Sequence, residues 1–296
     1  MGTSAKTLSR LIAFHHQGLL PAGGSIVELG AQELYCTGEE EHLREVIAYF
    51  HGHLPSIRPP GDYSRAELTA FADRGMLGNL LAACGFRYLA LDIFEAPNTR
   101  LFDLNVESPG ADLAGQFDLV TNYGTTEHVV NQYLSMKTMH ELARPGGLIH
   151  HDLPMAGYHD HGYFCYNPRF FVELAESNGY EVAFEAYSRS ATATPAPGIL
   201  VRHGFPERAY HDAGIEFALR KVSDAAFRLP LETSTSLGIS QRFLAPDSGY
   251  WSIDPPALPA QPGRPPDAVA RAPVSVLHRE LLRRYRERLR RLFAPG

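Results

Sequence analysis

The sequence predicts an α/β protein with a mostly parallel, seven-stranded sheet, helices on both of its faces, and a C-terminal extension. Three observations predict it. Short apolar runs that suit buried strands recur between residues 25 and 222. Stretches of helical period separate most of them, leaving room for crossovers between parallel strands. Beyond them, residues 246–273 are dense in proline, with Pro255 next to Pro256 and Pro265 next to Pro266, and the alternation stops there.

The elements follow in order. Residues 8–20 read as a helix ended by Pro21 and the glycines at 23 and 24. Residues 25–30 (SIVELG) are a buried strand running into a glycine turn. Residues 39–50 place Leu43, Val46, Ile47 and Phe50 on one helical face, and 55–63 is a proline- and glycine-rich loop. Ser64 opens another helix, with Glu67 placed for a capping box. That helical pattern runs to Cys84, with an interruption near Gly75 and Gly78. Strands are expected at 88–94, 99–103 and 117–122. A helix follows over 130–143, then a turn at Pro145, Gly146 and Gly147, and a strand beginning at 148–151. Pro168 starts a helix that ends at Asn178 with Gly179 as its cap. Residues 181–187 and 215–222 complete the sheet. After the proline-rich linker, Leu277, Leu281, Tyr285, Leu289 and Leu292 form an apolar stripe among arginines, a basic amphipathic helix. The expected organisation is one domain over 1–223, with a helical insertion near 36–87, and an extension over 224–296.

Composition narrows the function. The net charge of −6 does not favour nucleic-acid binding, which usually needs a basic surface. The last 26 residues are the exception, with eight arginines and two glutamates. That helix could cover its own domain, mediate self-association, or touch a membrane or nucleic acid. No run approaches the roughly 20 apolar residues of a membrane span, and no secretory pattern opens the chain, so a cytoplasmic protein is expected. Cys36, Cys84 and Cys165 have no paired spacing and read as reduced thiols.

A strand ending in a glycine turn, with an acidic residue at a second strand end, is the general recipe for an adenosine-type cofactor. The turn lets the ligand approach the backbone, and the carboxylate accepts hydrogen bonds from ribose hydroxyls. Here Gly30 is the turn glycine and Asp92 the carboxylate. Dinucleotide binders usually show a second and third glycine and an acid about 20 residues on. This chain reads Gly30, Ala31, Gln32, Glu33, and Asp92 lies 62 positions after Gly30. The missing glycines argue against a pyrophosphate cradle.

The motifs VELGAQ, YLALDIF, LFDLN, FDLVTNYGTTEHV and LARPGGLIHHDLP, in that order over 25–154, resemble those of class I S-adenosylmethionine-dependent methyltransferases. HGYFCYNPRFFVELAESNGYEV and ALRK extend the resemblance over roughly 8–223. It implies a Rossmann-like methyltransferase fold, S-adenosylmethionine as cofactor, and a small-molecule acceptor. It also implies roles. Glu28 and Gly30 would border the methionine part, and Ala31 and Gln32 replace a more usual glycine-containing turn. Asp92 would bind the ribose, and Ile93 would pack on the adenine. Asp103 and the backbone of Leu104 would meet the adenine amino group. Asn122 and Tyr123 would lie near the sulfonium.

Methyl transfer from a sulfonium needs alignment more than activation, and a base only where the acceptor must lose a proton. Histidine suits that task. His128, His151 and Asp152 are therefore the catalytic candidates. Tyr158, His159, His161 and Tyr163 are the substrate-binding candidates, with Phe164 as a further apolar wall. They cluster at the fourth and fifth strand ends, where open α/β sheets bind ligands. Strand alternation points His150 and His151 to opposite faces. No metal is expected. A metal-assisted O-methyltransferase is the competing reading, in which His159, His161 and Asp152 supplement Glu127 and His128, since Gly124 stands where some metal-using relatives carry a carboxylate. The same pattern could also belong to a nicotinamide-dependent oxidoreductase or to a non-catalytic binding module.

Overall fold

The structure is a computed structural model, and it describes residues 2–195, 202 and 209–230. The expected proline-rich linker and terminal amphipathic helix, with any self-association through it, lie outside the described residues.

Seven strands form the main sheet: β1 (Ser25–Leu29), β2 (Arg87–Asp92), β3 (Thr99–Leu101), β4 (Phe117–Tyr123), β5 (Ala143–Ala156), β6 (Glu181–Arg189) and β7 (Ala213–Arg220). Their spatial order is β3-β2-β1-β4-β5-β7-β6. The first five run parallel, and β7 is antiparallel to both β5 and β6. The expected α/β architecture is thus present. Order reverses between β1 and β4, the point where such sheets open a ligand crevice.

The helices are α1 (Ala5–His16), α2 (Glu40–His53), α3 (Arg65–Ala72), α4 (Leu77–Ala83), α5 (Gln132–Leu142) and α6 (Pro168–Asn178). Alternation along the strands divides the core in two. Ile26, Leu119 and Leu148 face α1, α2 and α4 in one buried cluster. Val27, Val120 and Ile149 face α5 and α6 in the other. The stripe Leu43, Val46, Ile47 and Phe50 is buried, as the period requires. Ser64 and Glu67 form the capping box, and Gly179 caps α6 at φ 63°.

The structure departs from the sequence pattern at several places. The helical pattern after Ser64 is broken by a true strand, Asp73–Met76, which pairs antiparallel with Glu33–Tyr35. Gly2–Thr3 adds to the other side of Glu33–Tyr35, giving a three-stranded side sheet that no single-segment periodicity signals. The first helix begins at Ala5 and ends at His16, earlier at both ends than expected. The strand expected to begin after the turn at 145–147 begins at Ala143, because Ala143 already pairs with Phe117 before a register shift, and the turn is tied to the end of β7 by Gly146 N donating to Lys221 O at 2.6 Å and Lys221 N to Gly147 O at 2.9 Å.

Candidate active site

The crevice at the C-terminal ends of β1 and β2 opens into a cavity of about 430 Å³, and Gly30, Ala31, Asp92, Ile93, Asp103 and Leu104 all line it. Gly30 has φ +72°, and a Cβ there would stand 2.5 Å from Thr125 Oγ1, so the turn requires glycine. Thr125 Oγ1 itself donates to Leu29 O at 2.6 Å, which fixes the turn against the segment after β4. Asp92 accepts from Ala31 N at 2.8 Å and from Phe94 N at 3.0 Å, one bond on each oxygen. A carboxylate has about four acceptor sites, so capacity for two ribose hydroxyls remains. Ile93 and Phe94 lie just past β2 and are 61% and 72% exposed, an apolar rim of the kind a purine covers. Asp103 Oδ1 accepts from Asn105 N at 2.8 Å, which shapes the next turn. This set of a close backbone approach, a carboxylate and apolar walls fits an adenosine-type ligand.

Glu28, Gln32 and Asn122 are fully buried and support the cavity from beneath. Gln32 explains the missing glycines. Its Nε2 donates to Gly30 O at 3.2 Å and to Thr125 Oγ1 at 3.3 Å, and its backbone N donates to Glu28 Oε2 at 3.1 Å, bracing the turn with an amide. Glu28 also accepts from Tyr88 OH, and burial pushes its carboxyl up to about 7.

A second cavity, of about 340 Å³, lies at the ends of β4 and β5. Tyr123, Glu127, Asp152, Tyr158 and His161 line it. Thr3, Ser4 and Thr7 close it from the N-terminal segment, and Tyr35 from the side sheet. Burial raises the Asp152 carboxyl above its usual range, opposed by Lys6 at 3.9 Å. The remaining candidates sit elsewhere. His151 is fully buried; Asn122 Nδ2 meets its Nδ1 at 3.1 Å, and Phe171 covers its ring. Burial, with His150 nearby, pushes His151 down to about 3. The expectation that His151 faces the acceptor does not match this placement, because its face of β5 is packed by α6. His150 points the other way, toward Phe14, Tyr123 OH and Glu216. The His159 ring packs edge-on to Tyr210, and Tyr163 is exposed.

Residues 72–183 match a family model described as a methyltransferase domain. That segment of the chain is a methyltransferase domain. S-adenosylmethionine is the family's methyl donor. No curated protein matches the sequence. Solved structures similar to it include a putative methyltransferase from Bacillus halodurans C-125, at 13% identity over 75% of this chain and 100% of that one, with a TM-score of 0.42. TehB from Haemophilus influenzae is similar at 10% identity and a TM-score of 0.39, and the match spans 71% of this chain and 61% of TehB. The 1,6-didemethyltoxoflavin-N1-methyltransferase of Burkholderia thailandensis, with 1,6-didemethyltoxoflavin and S-adenosylhomocysteine bound, is similar at 13% identity over 73% of this chain and 88% of that one, with a TM-score of 0.34.

The cavities are also lined by residues that the sequence did not single out. Glu33 and Met76, from the side sheet, and Thr125 and Asn105 complete the first cavity. Glu127 and His128 divide the two cavities: Glu127 lines the second and His128 the first. Both Glu127 oxygens are buried without a hydrogen-bond partner, and burial pushes its carboxyl up to about 7. Burial, then His161, holds His128 below its ordinary value. Strand alternation gave no hint of this meeting, because Glu127 and His128 lie in a 3-10 turn and His161 in a loop. Among the described residues, no helix is long and apolar enough to cross a membrane.

Proposed function

We propose that the enzyme methylates an O, N or C atom of a small molecule held in the second cavity, with S-adenosylmethionine in the first. One observation carries this reading: the adjacent residues Glu127 and His128 line different cavities, so the two cavities meet at this turn. The bound donor supplies an already activated methyl on a sulfonium. Asp92 would hold its ribose, Ile93 its purine, and the backbone at Asp103 and Leu104 the purine edge. Glu28, Gln32 and Asn122 would keep the floor rigid rather than touch the ligand. Tyr123 and Tyr158 would orient the acceptor. Asp152, whose carboxyl burial raises above its ordinary range, would receive a proton where the acceptor gives one up. In-line displacement then needs little more than alignment and exclusion of water.

Calorimetric titration with S-adenosylmethionine and with NAD, followed by transfer of a labelled methyl to a panel of small hydroxylated, amino and heteroaromatic compounds, tests the proposal. S-adenosylmethionine should bind and NAD should not. Asp92→Ala should weaken S-adenosylmethionine binding by about 1–3 kcal/mol, the usual loss when a charged hydrogen-bond partner goes. Unchanged affinity in that variant would refute the ribose assignment, and tighter NAD binding would sink the cofactor reading.

A further inference from the structure

The partition between the two cavities carries more than a wall. Glu127 Oε1 lies 3.5 Å from His161 Nε2 and 3.8 Å from His128 Nε2. One ligand atom from each of the three residues falls within 4.8 Å of the others. A tetrahedral ion with bonds of about 2.0–2.1 Å needs its donors roughly 3.3 Å apart, so small side-chain rotations close the set. Three atoms at this spot are buried without a hydrogen-bond partner: Glu127 Oε1, Glu127 Oε2 and His128 Nε2. A carboxylate that is 1% exposed with both oxygens unpaired is costly, and such groups in native proteins usually have a partner.

The backbone holds the cluster together. Tyr163 N and Phe164 N both donate to Glu127 O, at 2.7 and 3.2 Å, which pins the loop carrying His161 onto the turn carrying Glu127. A Cβ at Gly162 would stand 2.8 Å from Glu127 Cγ and 2.9 Å from Glu127 O, so only glycine allows so close a seat. Asp152 and His159, which the competing metal reading offered as supplementary ligands, are not part of the cluster.

We propose that Glu127, His128 and His161 bind one divalent transition-metal ion, with zinc or iron(II) the chemical class that two imidazoles and one carboxylate suit. Three protein ligands leave open positions, as in catalytic rather than structural sites. Glu127 and His161 line the second cavity, so an open position there would take an oxygen of the acceptor. This deepens the methyltransferase reading, on which it rests, and narrows the acceptor class to a molecule with a hydroxyl at the methylated position. The ion would favour loss of the hydroxyl proton, which leaves to Asp152 or water. The oxygen then forms its bond to the methyl carbon, and the sulfur–carbon pair stays on the departing thioether.

The test uses the full chain, stripped with a chelator and dialysed. Zinc titration against a chromophoric competitor should show one tight site per chain, weakened tenfold or more in Glu127→Gln and in His161→Ala. Cobalt(II) should give visible d–d absorption in the wild type that is lost in both variants. His161 is exposed, so its alanine variant should fold even if the buried Glu127 change does not. His16→Ala, at an exposed histidine far along the chain, should retain the site. S-adenosylmethionine affinity measured on the same metal-free samples should match the wild-type value, which separates failure of the metal site from failure of the cofactor reading. Absence of a stoichiometric site, or equal zinc affinity in wild type, Glu127→Gln and His161→Ala, would overturn the proposal.

Discussion

At the residue scale, buried carboxyl groups carry most of the chemistry that can be measured without an acceptor. Glu28 shares one oxygen between Tyr88 OH and Gln32 N, while its Oε1 has no partner. Burial raises it from 4.5 to about 7, so the folded state prefers the protonated form. The sign follows from linkage: its favourable contribution is complete below the unfolded value and is lost as pH rises through the folded one. Glu28→Gln keeps an acceptor for both donors and removes the titration. The variant should therefore gain stability relative to wild type as pH rises from about 4.5 to about 8, by roughly 2–3 kcal/mol. Urea unfolding at several pH values checks this, and parallel pH profiles for the two proteins would rule it out.

At the element scale, the insertion between β1 and β2 shapes both cavities. Its strands Glu33–Tyr35 and Asp73–Met76 bring Glu33 and Met76 to the first cavity and Tyr35 to the second. Arg74 holds this pair by donating to both Glu33 oxygens, at 3.0 and 3.2 Å. The segment depends on α3 being correctly started. Ser64 Oγ accepts from Glu67 N at 3.2 Å, and Glu67 returns a bond from Ser64 N at 2.8 Å. Ser64→Ala should cost about 1 kcal/mol, the usual loss of a helix cap. Denaturant midpoints measure that loss. Because neither Ser64 nor Glu67 lines the cofactor cavity, S-adenosylmethionine affinity should stay within twofold, and a larger change would mean that α3 positions the cavity wall directly.

At the scale of the whole molecule, a charge cluster around the buried Glu216 ties the N-terminal helix to the sheet. Glu216 on β7 meets Lys6 at 2.7 Å and Arg10 at 2.8 Å from α1, and His150 at 3.1 Å from β5. Burial alone would raise the Glu216 carboxyl, but hydrogen bonds from His150, Arg10 and Lys6 outweigh it and hold the group well below its ordinary value. A depressed carboxyl contributes stability above its unfolded value, and that contribution is lost as pH falls toward the folded one. Glu216→Gln should cost about 3 kcal/mol or more near neutrality, the usual result of breaking a buried pair. The gap between variant and wild type should narrow as pH drops from about 5 to about 3, seen as converging thermal unfolding midpoints. A constant gap would mean that Glu216 acts through packing alone. The chain after β7 is tied down as well. Lys221 Nζ donates to His140 O at 3.0 Å and to Ala143 O at 2.9 Å, and His140 Nε2 meets Ala225 O at 2.8 Å, so residues 221–225 pack against the end of α5.

Local patterns in the sequence determined the existence of the seven strands and of the helices other than the split of 65–83 into two, the capping box, the glycine turn at Gly30 and the strand-end positions of Asp92 and Asp103. Each of these depends on residues close together in the chain, where periodicity, φ preference and capping chemistry act directly. Tertiary structure alone decided the strand order, the side sheet that joins Gly2–Thr3 to residues 33–35 and 73–76, and which histidines meet which partners. Alternation correctly set His150 and His151 on opposite faces of β5. It could not say that α6 would bury His151, or that a loop closing over Gly162 would bring His161 to Glu127. A histidine's identity carries no direction; the helix or loop packed above it supplies that, and such long-range contacts depend on how the whole chain closes.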